Sequence, residues 1–217
     1  MLQKIREPGS AITHFIGVIF SVAAALPLIA RAARTSAVNA AAMAVFVMSM
    51  FLLYSASTTY HSVRLRASVI KVFRKIDHMM IFILIAGSYT PVCLIVLKGP
   101  IGTAMFCAVW GIALAGILFK AFWVTCPKWI SSVLYIGMGW TCVFAFVPLW
   151  NLLPAAAFTW LLTGGLLYTV GGIIYALKLP IFNSRHVNFG SHEIFHLFVL
   201  AGSFCHFIFM YVYVANM

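Results

Sequence analysis

Three histidines and an aspartate sit at the ends of long apolar stretches that hold almost no other charge. They are His61, Asp77, and the pair His192 and His196 within His192-Glu193-Ile194-Phe195-His196. An ionisable side chain at membrane depth is costly, so its presence marks a functional site by default. His192 and His196 are four residues apart; on a helix their imidazoles share one face and can bind the same cation. Ser57 and His61 have the same spacing, which puts a hydroxyl one turn deeper than a candidate ligand. Zinc takes nitrogen, sulfur and oxygen ligands in tetrahedral geometry, and a catalytic zinc keeps three protein ligands and one water position. Three histidines supply such a set, and histidine ligation favours zinc among the abundant cations. Water on zinc has its pKa lowered toward about 7, which gives a nucleophile at neutral pH. Asp77 is placed to orient that water or take its proton, and Ser57 to hydrogen-bond the water or a developing oxyanion.

Simpler roles fit some of these residues. Taken singly, His14, His78 and His206 suit helix contacts or interfacial positions, and His186 lies in a loop. Asp77 beside Arg74 and Lys75 also suits an interfacial ion pair, and Ser57 a back-bond to its own helix. His206 is ten residues past His196, roughly 15 Å deeper at the helical rise, too far to share a metal with it. His192-Glu193-Ile194-Phe195-His196 also matches the zinc-protease motif in which the glutamate acts as base. Glu193, however, points about 100° away from His192 on a helix. The only other acids, Glu7 and Asp77, are not followed by glycine, so the third ligand typical of intramembrane zinc proteases is missing.

These residues need elements to carry them. Of 217 residues, 64% are hydrophobic and 8% charged, with a mean hydropathy of +1.07. A soluble domain carries roughly a quarter charged residues, so the composition specifies a polytopic membrane protein. Apolar runs of about 20 residues suffice to span. Seven are readable, at about 12–30, 38–60, 77–97, 101–122, 130–149, 155–177 and 191–213. The expectation is a single all-α domain over 1–217, a seven-helix bundle with short loops and no soluble domain. Basic residues from His61 to Lys75 separate the second and third runs, Lys98-Gly99-Pro100 makes a tight turn, and Lys178 to Gly190 forms the last loop.

With the N-terminus inside, the inside segments hold Lys4, Arg6, Arg64, Arg66, Lys71, Arg74, Lys75, Lys120, Lys128, Lys178 and Arg185. The outside segments hold only Arg31, Arg34 and Lys98. Lysine and arginine concentrate on the cytoplasmic side, so the expectation is a cytoplasmic N-terminus and an outside C-terminus. That places Glu7, His14, His61, Asp77, His78, His192 and His196 together on the cytoplasmic side. The net charge of +11 then reflects topology and anionic lipid headgroups rather than nucleic acid. The first span reads as a retained anchor, with no small-residue cleavage site after a short apolar core. Five scattered cysteines form neither a disulfide framework nor a CxxC knuckle. Gly137, Gly139, Gly164, Gly165, Gly171 and Gly172 suggest close helix contacts. Pro27 and Pro91 suggest kinks.

Ser57-Thr58-Thr59-Tyr60-His61, Lys75-Ile76-Asp77-His78, Ser88-Tyr89-Thr90-Pro91 and His192-Glu193-Ile194-Phe195-His196, followed by Gly202-Ser203-Phe204-Cys205-His206-Phe207, occur in this order. Together they closely resemble the hemolysin III family. Its members are bacterial relatives of the progestin and adipoQ receptors, including the adiponectin receptors, and more distantly of alkaline ceramidases. The resemblance implies seven helices with a cytoplasmic N-terminus, and zinc held by His61, His192 and His196. It also implies that Asp77 contacts zinc through water, with Ser57 nearby. A resident protein of the bacterial plasma membrane, engaged in lipid homeostasis, is the implied setting.

The expected function is zinc-dependent hydrolysis of a lipid amide or ester bond, with a membrane lipid as substrate or ligand. The alternative is a non-enzymatic sensor or receptor with a structural zinc. An intramembrane protease and a pore-forming cytolysin come behind these.

Overall fold

The computed structural model describes residues 5–177 and 189–217. Seven helices in it are long and apolar enough to cross a membrane: α1 Pro8–Ala33, α2 Ala37–Ser62, α3 Ala67–Leu97, α4 Gly99–Phe122, α5 Lys128–Leu152, α6 Ala155–Leu177 and α7 Ser191–Val214. No strand occurs among the described residues. The predicted spans coincide with these helices in number and order. Lys4, Lys178, Arg185, His186 and most of the last loop lie outside the described residues.

The clearest difference is at α3, which starts ten residues before the expected position 77. The amides of Val69 and Ile70 bond to the Arg66 carbonyl at 3.0 Å each, so the basic segment is already helical. Hydropathy ends where the bilayer does, but the backbone ladder continues into water through good helix formers such as Lys71, Arg74 and Lys75. Elsewhere the turns follow local chemistry. Ser36 caps α2, its hydroxyl accepting the Asn39 amide at 3.0 Å. Between α3 and α4, Lys98 and Gly99 adopt φ of 42° and 59°, a left-handed turn that glycine tolerates, and Pro100 follows in the first turn of α4.

The prolines act unequally. Pro27 leaves α1 one continuous helix. Pro91 is followed by a π-helical turn over Val92–Leu97. Within α5 a 3₁₀ segment, Trp140–Ala145, interrupts the α-helix just ahead of Pro148, whose ring withholds an amide and crowds the preceding turn. Tyr89 of α3 mends this break: its hydroxyl donates to the Gly139 carbonyl at 2.5 Å and accepts the Cys142 amide at 2.8 Å. Freed backbone groups at membrane depth need such partners, because lipid offers none.

Phe46, Met50 and Tyr54 of α2, Phe82 of α3 and Phe209 of α7 form the buried centre, while Leu26, Phe122 and Phe144 point outward, as a lipid-facing surface requires. Half of the expected glycine contacts occur. A Cβ on Gly164 would lie 2.6 Å from His206 Nε2, one on Gly171 2.9 Å from Phe198, and one on Gly172 3.0 Å from Ile136. Gly137, Gly139 and Gly165 have nothing within 4 Å. All five cysteines are free.

Candidate metal centre

Helices α2 and α7 bring His61, His192 and His196 together. One ring nitrogen or more of each lies within 4.8 Å of the others, and His61 Nε2 and His192 Nε2 are 3.4 Å apart. Two nitrogens held tetrahedrally at ~2.0–2.1 Å from a zinc stand roughly 3.3–3.4 Å apart, and the His61–His192 pair has that spacing. His61 and His196 are each 2% exposed. The i, i+4 spacing in α7 aligns its two rings, and the third comes from the last turn of α2.

Two tethers aim the rings. The Glu7 carboxylate bonds His61 Nδ1, and the Thr13 hydroxyl lies 3.1 Å from His196 Nδ1. Each leaves Nε2 free to face the common point, the arrangement by which outer partners orient metal-binding histidines. Burial raises the Glu7 carboxyl, but the His61 hydrogen bond and the charges of His61 and Arg6 outweigh it and hold the group below its ordinary range. His14 stacks on His196, centroids 3.6 Å apart and planes within 14°. Glu7 and His14 were visible as polar residues of the same end, but Thr13 and Ser10 were missed. The signal that finds them is the face they share: Ser10, Thr13, His14, Gly17 and Ser21 are all buried along α1, at helical spacing.

Asp77 is buried, and its ion pair among the described residues is with His78, Oδ2 to Nδ1 at 3.3 Å, not with Arg74 or Lys75. It stands outside the convergent histidine set. Asp77 and Ser57 nevertheless line the same cavity as His192 and His196. Glu193 is committed elsewhere: it accepts the Ser10 hydroxyl and the Gly190 amide at 2.8 Å, which caps α7 and ties it to α1. A carboxylate spent this way is no protease base. His206 sits apart, as its spacing requires, with Nε2 3.4 Å from the Leu161 carbonyl. The cavity runs from the histidines past Leu53, Ile81 and Val199 to Tyr168, His206 and Met210, apolar for most of its length.

A seven-helix membrane bundle with an inward-facing histidine cluster at one end is the class that fold and site define. The family model described as "Haemolysin-III related" matches residues 2–207. The chain is 43% identical over 206 residues to Hemolysin-3 of Bacillus cereus, covering 94% of this chain and 90% of that protein. It is 41% identical over 198 residues to the Hemolysin-3 homolog of Bacillus subtilis (strain 168), covering 91% and 89%. An adiponectin receptor protein of Drosophila melanogaster is 24% identical over 218 residues, 93% of this chain and 49% of the receptor. The chain therefore belongs to the haemolysin-III-related family, within reach of the progestin and adipoQ receptor superfamily.

Proposed function

We propose that this protein is a zinc-dependent integral membrane hydrolase that cleaves an amide or ester bond of a membrane lipid. In this reading His61, His192 and His196 hold the metal, and the site faces the cytoplasm of a bacterial plasma membrane. The observation that carries it is the convergence of three buried histidines, two of them tethered, at one end of an apolar cavity. Zinc bound there supplies Lewis acidity and a more acidic water.

The chain's own residues do the rest. Glu7 and Thr13 fix the His61 and His196 rings. Asp77, on the cavity wall and hydrogen-bonded to no metal-set histidine, offers a carboxylate to hold a proton. Ser57 offers a hydroxyl to the carbonyl oxygen of the scissile bond. Leu53, Ile81 and Val199 receive hydrocarbon and keep water out. The pairing of Asp77 with His78 leaves three ligands rather than four, which favours an open catalytic shell over the closed shell of a structural zinc.

The test is metal content of the purified protein, wild type against His196→Ala, paired with fatty-acid release from a panel of glycerolipids and ceramides. About one zinc per chain, lost in the variant together with lipid cleavage, supports the hydrolase. Zinc without cleavage of any lipid favours a sensor, and absence of metal makes the histidines a polar helix contact. Asp77→Ala is expected to abolish turnover with zinc retained; turnover surviving in that variant removes Asp77 from the reaction.

A further inference from the structure

A second cavity opens beside the metal centre. His61, Asp77 and His192 border it from the centre, and Tyr60, Arg74, Lys128 and Tyr175 border it from four other positions on α2, α3, α5 and α6. We propose that this cavity is a phosphate-binding subsite, so that the lipid acted on carries a phosphate a few bonds from its scissile carbonyl. The inference rests on the hydrolase reading above and names the substrate class that reading leaves open.

Charge pairing carries the argument. The chain has three acidic side chains against 14 lysines and arginines. The three are Glu7, Asp77 and Glu193, all bordering this cavity, and each is already committed. Glu7 pairs with His61 and Arg6, Asp77 with His78, and Glu193 with Ser10 and the Gly190 amide. Arg74 is half-buried and has no ion pair among the described residues. No carboxylate remains to serve it. A guanidinium that borders a cavity and has no ion pair of its own among the described residues is suited to a phosphate, which it grips through paired N–H donors.

The neighbours agree with that ligand. Lys128 Nζ stands 4.3 Å over the Tyr175 ring, and the Tyr175 hydroxyl is 3.5 Å from His78 Nε2. One wall thus carries a second cation, stacked on a phenol ring. Arg74 precedes Asp77 by three residues on the same helix, a separation of roughly 4.5 Å along the axis. Arg74 is thus one turn from the carboxylate assigned to the proton, and both border this cavity, so phosphate and scissile bond are neighbours, as in a glycerophospholipid. A ceramide or a diacylglycerol has only an uncharged hydroxyl to place there.

The experiment measures binding to the purified, zinc-loaded protein in neutral detergent, by native mass spectrometry with competition. The probes are a phosphatidic acid and the diacylglycerol with the same acyl chains. Phosphatidic acid is expected to bind about 10-fold tighter or more, the scale of a charge-assisted hydrogen bond. Arg74→Gln is expected to bring that ratio close to one, and Arg74→Lys to restore part of it, which also reports folding. Lys71→Gln, an exposed position one turn away on the same helix, is expected to leave the ratio unchanged. Equal binding of the two lipids by wild type overturns the phosphate subsite and leaves the hydrolase reading standing. Binding of neither lipid overturns the phosphate subsite and leaves the hydrolase reading to the wider lipid panel. An equal loss in Lys71→Gln and Arg74→Gln assigns the preference to general surface charge and overturns the subsite. Complete competition by millimolar inorganic phosphate overturns the lipid assignment in favour of free phosphate.

Discussion

The Glu7 and Thr13 tethers make separable demands on the metal centre. Glu7 contributes an ionic hydrogen bond to His61 and Thr13 a neutral one to His196. Loss of an outer partner of a metal-binding histidine typically costs 10- to 100-fold in metal affinity. Glu7→Gln is expected to fall in that range, measured by competition with a chelator of known affinity, with the protein still folded. Thr13→Val is expected to cost less, since a neutral hydrogen bond contributes less than a charged one. Equal metal affinity in Glu7→Gln and wild type would make the contact incidental. The His192–His196 pair of the candidate centre was legible because i, i+4 spacing is a local property of α7. The tethers were not, because Glu7 and Thr13 meet their histidines across 54 and 183 residues of chain, and no local pattern encodes which helix lies opposite.

At the scale of helices, two positions report on packing. Tyr89→Phe removes the one hydroxyl that serves both Gly139 and Cys142 at the α5 break. Leaving buried backbone groups unpaired costs about 1–3 kcal/mol, so this variant is expected to unfold at lower temperature in detergent while zinc content stays unchanged. Gly164→Ala pushes a methyl into the His206 ring, whereas Gly165→Ala meets nothing within 4 Å. Overpacking costs about 1–3 kcal/mol, so thermal unfolding is expected to shift for the first and not for the second. Equal shifts would deny the close α6–α7 contact. The spans themselves were readable from hydropathy, since lipid demands about 20 apolar residues. The break in α5 was not. Trp140 to Ala145 are as apolar as their neighbours, and only Pro148 hints at lost helical bonding. The early start of α3 was hidden for a different reason: its first two turns are helical, but Lys71 and Arg74 break their apolar run.

Across the whole molecule, the asymmetry of lysine and arginine makes a prediction about placement. With the N-terminus inside, a reporter active only outside the cytoplasm is expected to work when fused after Met217 and to fail when fused in the α2–α3 segment around Arg64. The opposite pattern would move the histidine end to the other face of the membrane. The charge imbalance behind this expected orientation also underlies the proposed phosphate subsite, because a chain with three acids, all engaged at the histidine end, has none left for Arg74.

The contacts of α1 with α7 have a bearing on biogenesis. Ser10 meets Glu193 and Thr13 meets His196, so α1 is fastened to α7, and the ring of seven helices closes there. His61 is inserted with α2, but its two companions arrive only with α7. A chain stalled before Ser191 holds one histidine of the three and leaves Ser10 and Thr13 without their partners. If the cluster holds zinc as proposed, capture of the metal waits for α7, and a product aborted before that helix cannot compete for zinc through this centre.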